Sequence, residues 1–160
     1  MFGGNVCKTN ASSILVVNVG NTHTRFGVFV GNELLGTWGV STPVSLTTDE
    51  ALMQVRVALR ELSEGVAPHG SIISCVVPPL TEAWRAALHG VCGTRPLVAG
   101  PGLRTGMRLR IDEPSAVGSD RVANVVAARE LLGAPVVVAD LGTTTNIEVV
   151  DASGAFIGGI

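Results

Sequence analysis

The sequence predicts an α/β fold, with a mixed sheet flanked by helices and a strand–turn–strand unit used twice. Three observations carry this. The first is ILVVNVGNTHTRFGVF (residues 14–29), an apolar run broken by Gly20, Asn21 and Thr22 and resumed from Arg25. The second is its echo: VADLGTTTNIEVVDASGAFIG (138–158) repeats the plan of VVNVGNTHTRFGVFVGNELLG (16–36). Asp140 then falls on Asn18, Gly142 on Gly20, Thr143 on Asn21, Thr144 on Thr22 and Gly158 on Gly36. The third is the stretch between the copies, where compact apolar strands alternate with amphipathic helical segments.

In chain order, residues 1–13 are polar and lack the apolar region of an export signal, so they are expected to be a flexible tail. Strands follow from Ile14 and from Arg25, with a third over 33–40 that Ser41, Thr42 and Pro43 break. Thr48, Asp49 and Glu50 look like the start of a helix running to about Glu64. Its acidic first turn suits the helix dipole, and Leu52, Val55, Leu59 and Leu62 share one face. A compact strand over 71–77 ends at Pro78-Pro79, a helix runs from Leu80 to about His89, and a short strand covers 96–99. Residues 100–114 are irregular. Their arginines, Arg104, Arg108 and Arg110, read as a solvated loop, with no aromatic among them to stack on bases. VGSDRVANVVAARELL (117–132) is helical, with a stripe of Val122, Val125, Val126 and Leu132, and it leads into the second copy at Val136.

Composition narrows the function classes. One hundred and sixty residues make one domain or two small ones, and nearly half are apolar, enough for a core. A net charge of −2 gives no general reason to expect nucleic acid or an anionic membrane as partner. No apolar run reaches membrane-spanning length. Lys8 is the only lysine, so there is no Gly-Lys-Ser/Thr phosphate loop. Cys7, Cys75 and Cys92 are odd in number and lack metal-ligand spacing, which suits reduced thiols in the cytoplasm.

The turn at Gly20 admits two readings. A glycine followed by Asn and hydroxyl residues suits a turn whose successive N–H groups form a nest for anions, with Gly admitting and Asn tolerating the backbone angles required. An ordinary hairpin with a polar tip accounts for the same residues. The repeat favours the first, because two such hairpins facing each other across a cleft could grip a polyphosphate from both sides. Asp120 likewise admits two readings, as a cap at the helix entry beside Ser119 or as a catalytic carboxylate.

Taken together, the motifs resemble the type III pantothenate kinases, a family with the actin-like (ribonuclease H-like) fold of the sugar-kinase superfamily. Asn18-Val19-Gly20-Asn21-Thr22, Gly118-Ser119-Asp120-Arg121 and Asp140-Leu141-Gly142-Thr143-Thr144-Thr145 stand in that family's order, with SCVVPP (74–79) and Gly100-Pro101-Gly102 also similar. The resemblance covers residues from about Ile14 to Ile160. It implies ATP-dependent phosphorylation of pantothenate, the first step towards coenzyme A. It also implies Mg2+ with the nucleotide, a monovalent cation (K+ or NH4+), a homodimer and a cytoplasmic setting. Residue by residue, it implies that Asn18, Val19, Gly20, Asn21, Thr22, His23, Thr24 and Arg25 hold the ATP phosphates, with Thr143 reaching them from the second hairpin. Gly118, Ser119, Asp120 and Arg121 would hold pantothenate, Arg121 pairing with its carboxylate through two parallel hydrogen bonds. Asp120 would accept the proton of the attacking hydroxyl, so the resemblance favours its catalytic reading, and Asp140 would be the monovalent-cation ligand.

Three departures stand beside it. The family's opening motif carries Asp where this chain has Asn18, so one charge near metal and phosphates is missing. Ile111 replaces a substrate-contacting Tyr ahead of Asp112-Glu113-Pro114. The sequence also reaches Gly158-Gly159-Ile160 with a second domain only begun, which divides it into a tail (1–13), a first actin-like domain (14–134) and an incomplete second one (135–160). The expectation is then a strand layer with an open apolar face. The alternative to an active kinase is a silent relative kept for nucleotide binding or protein contact.

Overall fold

From Ser13 onward, alternate residues turn to a buried side and an open side, and that alternation builds the first sheet. The computed structural model describes residues 12–64, 67–100 and 103–160. Cys7, Lys8 and most of the expected tail lie outside the described residues, as do Pro101 and Gly102. β1 (Ser13–Val19), β2 (His23–Val30) and β3 (Glu33–Ser41) form an antiparallel meander. β4 (Gly70–Cys75) and β5 (Leu97–Ala99) extend it in parallel, giving the order β3-β2-β1-β4-β5.

α1 (Thr48–Ser63) and α2 (Thr81–Cys92) cover one face of this sheet. Thr47 caps α1, one residue ahead of the expected start, in a reciprocal arrangement with Glu50. The Thr47 N–H and then its hydroxyl hold the Glu50 carboxyl below its ordinary value. The strand expected over 71–77 stops at Cys75. Proline cannot donate to a ladder, and Pro78 instead opens a 3-10 turn, Pro78–Leu80, that leads into α2. Leu15, Val17 and Val19 of β1 meet Val55 and Leu59 of α1 and Trp84 and Leu88 of α2, all nearly or fully buried. Burial pushes the Cys92 thiol up, which suits an inert thiol.

The second sheet runs β6-β9-β8-β7, from β6 (Arg108–Leu109), β7 (Val136–Leu141), β8 (Thr145–Val150) and β9 (Ala155–Gly159). β6 arises where the sequence reads as an irregular loop, because two residues form a strand only by pairing with β9. α3 (Ser119–Leu132) lies between the sheets, touching β4 and β5 on one side and β7 and β8 on the other. Its Val125 packs with Met107, Val150 and Phe156 in a second core. Leu132, expected in the same stripe, is 77% exposed, since the helix ends there at Gly133. Val137 and Leu141 of β7 are 62% and 80% exposed, an open apolar face of the kind the sequence suggests. Among the described residues no helix is long and apolar enough to cross a membrane.

The hairpins confirm the duplication and refine its register. Gly20 N–H closes on the His23 carbonyl at 3.0 Å, and Gly142 N–H on the Thr144 carbonyl at 3.1 Å. The second turn is therefore one residue shorter, and Thr144 corresponds to His23 rather than to Thr22. Both copies carry a bulge, between Val28 and Phe29 and between Val149 and Val150. Gly36 pairs with Val28 and Gly158 with Val149, which restores the expected equivalence of the two glycines.

Asp151 organises the turn from β8 to β9. Its Oδ1 accepts from the Ser153 hydroxyl and from the N–H groups of Ser153 and Ala155, and its Oδ2 pairs with Arg110 at 3.2 Å. The Ser153 hydroxyl foremost, then the Ala155 amide, and after them the Ser153 amide and Arg110, hold its carboxyl below the ordinary range against the opposing effect of burial. A lowered folded-state value contributes stability above the ordinary carboxylate value, and that contribution is lost as pH falls through the folded value. Asp151→Asn is thus expected to lower the melting temperature at neutral pH and to flatten its decline below about pH 4. Parallel acid limbs for the two proteins would refute this.

Candidate functional site

The two hairpin tips touch each other, and strands of the first hairpin line one cavity with the first turns of α3. The turn at Gly20 uses no unusual backbone: neither Gly20 nor Asn21 has positive φ, contrary to expectation. What requires the glycine is room, since a Cβ there would stand 3.1 Å from the His23 carbonyl oxygen. Thr42 braces the turn from β3's end, donating its hydroxyl to the Gly20 carbonyl at 2.7 Å and its N–H to the Thr22 carbonyl at 2.8 Å. Asn18, Asn21, Thr22, His23 and Arg25 are exposed around the turn. Val19 and Thr24 are buried, so only their main-chain groups can serve a ligand; the Thr24 hydroxyl is engaged by Thr42 at 2.9 Å. The hydroxyls of Thr22 and Thr143 meet at 2.7 Å, which joins the two tips directly.

The start of α3 is tied to both sheets. Gly118 is its N-cap residue and supplies no side-chain cap. Asp120 folds back instead, its Oδ1 accepting the Arg121 N–H at 2.8 Å. A Cβ on Gly118 would stand 2.5 Å from that oxygen, so a glycine is what lets the carboxylate lie there. Ser119 is buried and shares a 2.9 Å hydrogen bond with Ser74 of β4. Arg121 Nε donates to Glu148 Oε1 of β8 at 3.0 Å, and Asn124 Nδ2 to Asp140 Oδ2 of β7 at 3.0 Å.

Consecutive residues thereby face different spaces. Asp120 lines a cavity of about 330 Å³ with Asn18, Arg25, Ser74 and Asn124. Arg121 lines a neighbouring one of about 370 Å³ with Ile111, Glu113, Phe156 and Gly159. A ligand bridging the two would present a reacting group to Asp120 and an anionic end to Arg121. Of the arginines read as a solvated loop, Arg104 is exposed. Arg108 bonds the Ser153 carbonyl and Arg110 pairs with Asp151, so both are tied to the β8–β9 turn.

Among the described residues no three His, Cys, Asp or Glu side chains form a metal cluster. Asp140 has one oxygen against the Gly142 turn, 3.8 Å from the position a Cβ there would take, and the other on Asn124. One carboxylate beside the Gly142 turn would suit a cation that arrives with a ligand and keeps most of its contacts from that ligand and from water. Sequence reasoning did not single out Thr42, Asn124 or Glu148. Only Glu148 carried a visible signal, as an acid within the apolar run of β8.

Two pseudo-equivalent hairpins, each on its own sheet, with a helix between them, define the actin-like fold. Fold likeness alone relates the chain to ethanolamine utilization protein EutJ from Carboxydothermus hydrogenoformans: TM-score 0.52, 16% identity, 97% of this chain and 53% of that one. The same holds for the type II variant of the Aquifex aeolicus Ppx/GppA phosphatase: TM-score 0.53, 11% identity, 93% of this chain and 51% of that one. A family model for type III pantothenate kinase matches residues 14–160, and the chain belongs to that family. It is 42% identical over 150 residues to a type III pantothenate kinase of Listeria monocytogenes and 40% identical over 147 residues to one of Geobacter sulfurreducens, 91% of this chain in both cases. The chain spans 57% and 58% of the length of those two relatives.

Proposed function

We propose that this chain acts in the ATP-dependent phosphorylation of pantothenate to 4′-phosphopantothenate, in coenzyme A biosynthesis. The observation that carries this reading is the 2.7 Å contact between Thr22 and Thr143, which brings both hairpin tips together. Residues 18–25 hold the ATP phosphates through main-chain N–H groups and the exposed side chains of Asn18, Asn21, Thr22, His23 and Arg25, and the Thr143 hydroxyl serves from the other side. Arg121 takes the pantothenate carboxylate, and Gly118 and Ser119 set the start of the helix that presents Asp120 and Arg121. Asp120 accepts the proton of the attacking hydroxyl. The transition state of phosphoryl transfer is loose, so positioning and charge neutralisation carry most of the rate. Mg2+ bound with the nucleotide supplies charge neutralisation at the phosphates, and Asp140 holds K+ or NH4+ at the Gly142 turn. A homodimer in the cytoplasm, with neither nucleic acid nor membrane as partner, completes the reading.

The direct test is formation of phosphopantothenate from ATP and pantothenate by the purified chain, followed by phosphorus NMR. ATP binding with no product would favour the silent relative instead.

Asn18 makes a second measurement informative. An amide accepts hydrogen bonds but cannot offset a divalent cation's charge. Asn18→Asp is expected to make ATP binding more dependent on magnesium, measured by calorimetry with and without the ion, and to raise turnover. If it weakens ATP binding equally in both conditions, repulsion between carboxylate and phosphates explains the position, and the metal role is wrong.

A further inference from the structure

Glu148 is fully buried, yet only one of its oxygens has a partner: Oε1 accepts from Arg121 Nε at 3.0 Å, and Oε2 accepts from nothing among the described residues. Arg121 Nη2 is likewise buried and without a partner. It lies beside Gly159, where a Cβ would stand 2.7 Å from it and would also strike the Ile147 carbonyl, so the backbone there makes room for the guanidinium. Gly159, Arg121 and Ile111 line the same cavity. A buried ion pair that leaves a donor and an acceptor unmet is a poor device for stability, because desolvation offsets its attraction. The first hairpin has no counterpart: by the register of the two turns, Glu148 corresponds to Gly27. The acid stands only where Arg121 arrives.

We propose that Glu148 is a positioning residue for Arg121. It holds the guanidinium by Nε, with Nη2 packed beside the Gly159 backbone, and so leaves the terminal Nη1, which is not buried, to donate to a ligand carboxylate. This rests on the reading that Arg121 takes the carboxylate of pantothenate. Three roles for Glu148 predict different results. A positioning acceptor can be replaced by Gln, whose carbonyl also accepts from Nε, but not by Ala. A charge that merely tempers Arg121 would give tighter carboxylate binding on replacement by either. A purely structural residue would affect ligands with and without a carboxylate alike.

The experiment measures, by calorimetry on the full chain, the Kd of pantothenate and of its neutral primary-alcohol analogue, with melting temperatures alongside. Glu148→Ala is expected to weaken pantothenate about tenfold or more, the usual scale for a partner that orients a binding group, and to leave the alcohol unchanged. Glu148→Gln should stay within about threefold of the original. Equal pantothenate affinity for the Ala and Gln variants, or parallel weakening of both ligands by Ala, overturns the proposal. Arg121→Ala separates it from its premise. If that variant loses pantothenate while Glu148→Ala does not, only the positioning role falls. If Arg121→Ala binds pantothenate normally, the carboxylate assignment falls and the positioning role with it.

Discussion

Asp120→Asn is expected to cut turnover by ~10²–10⁴-fold, the range of general-base contributions, while ATP affinity stays nearly unchanged. The amide keeps the acceptor for the Arg121 N–H and the shape that Gly118 accommodates, so the helix start should survive. What it loses is the ability to take a proton. Because Asp120 stands at the cleft and outside the hairpin turns, nucleotide binding has no reason to change. A loss below about fivefold, with product formation measured under saturating ATP, would reduce Asp120 to a helix-terminal hydrogen-bond acceptor.

The largest expected effect on stability lies in the first core. Trp84 is fully buried against Phe26, with ring centroids 5.6 Å apart and planes at 63°, and Phe26 in turn meets Trp38 at 5.6 Å with the planes tilted by 46°. Trp84→Ala removes one end of this aromatic row and is expected to cost ~3–5 kcal/mol in urea unfolding followed by circular dichroism. The indole N–H has no partner among the described residues. Trp84→Phe therefore loses packing volume but also discards an unmet donor, and its net cost should be about 1–2 kcal/mol. Equal losses for the two variants would mean that the N–H is satisfied in solution and that the aromatic ring contributes little.

These two residues mark what the sequence makes legible. Local signals were enough for the meander, α1 and α2: apolar alternation, the acidic first turn at Asp49 and Glu50, and Pro78-Pro79 all act within a few residues. The same holds for the repeat, because a polar residue two before a glycine is a local pattern in both copies. β6 was not legible, since Arg108 and Leu109 become a strand only through Ala155 and Phe156, far along the chain. Nor was the fate of Arg110, whose partner is Asp151. The candidate site divides the same way. The hairpin tips and the Gly118–Arg121 run are contiguous motifs, whereas Glu148 and Asn124 matter through the partners that folding brings to them. Trp84 showed as one apolar residue of a short helix, and its place in the core appeared only with Phe26 against it.

The distribution of ties around α3 has a mechanical consequence. On the side of the second sheet the helix is fastened by apolar packing at Val125, by an ion pair and by a hydrogen bond to a carboxylate. Among the described residues, two side-chain hydrogen bonds join the first sheet's elements to α3 and the second sheet, Ser74–Ser119 and Thr22–Thr143, and both are neutral hydroxyl pairs. Neutral bonds of this sort contribute about 1 kcal/mol each, and the exposed Thr22–Thr143 pair exchanges readily for water. The molecule therefore has a weak seam, and it runs along the first sheet's side of the helix. If the two layers hinge, α3 travels as cargo of the second, carrying Asp120 and Arg121 towards or away from the Gly20 turn as one rigid piece.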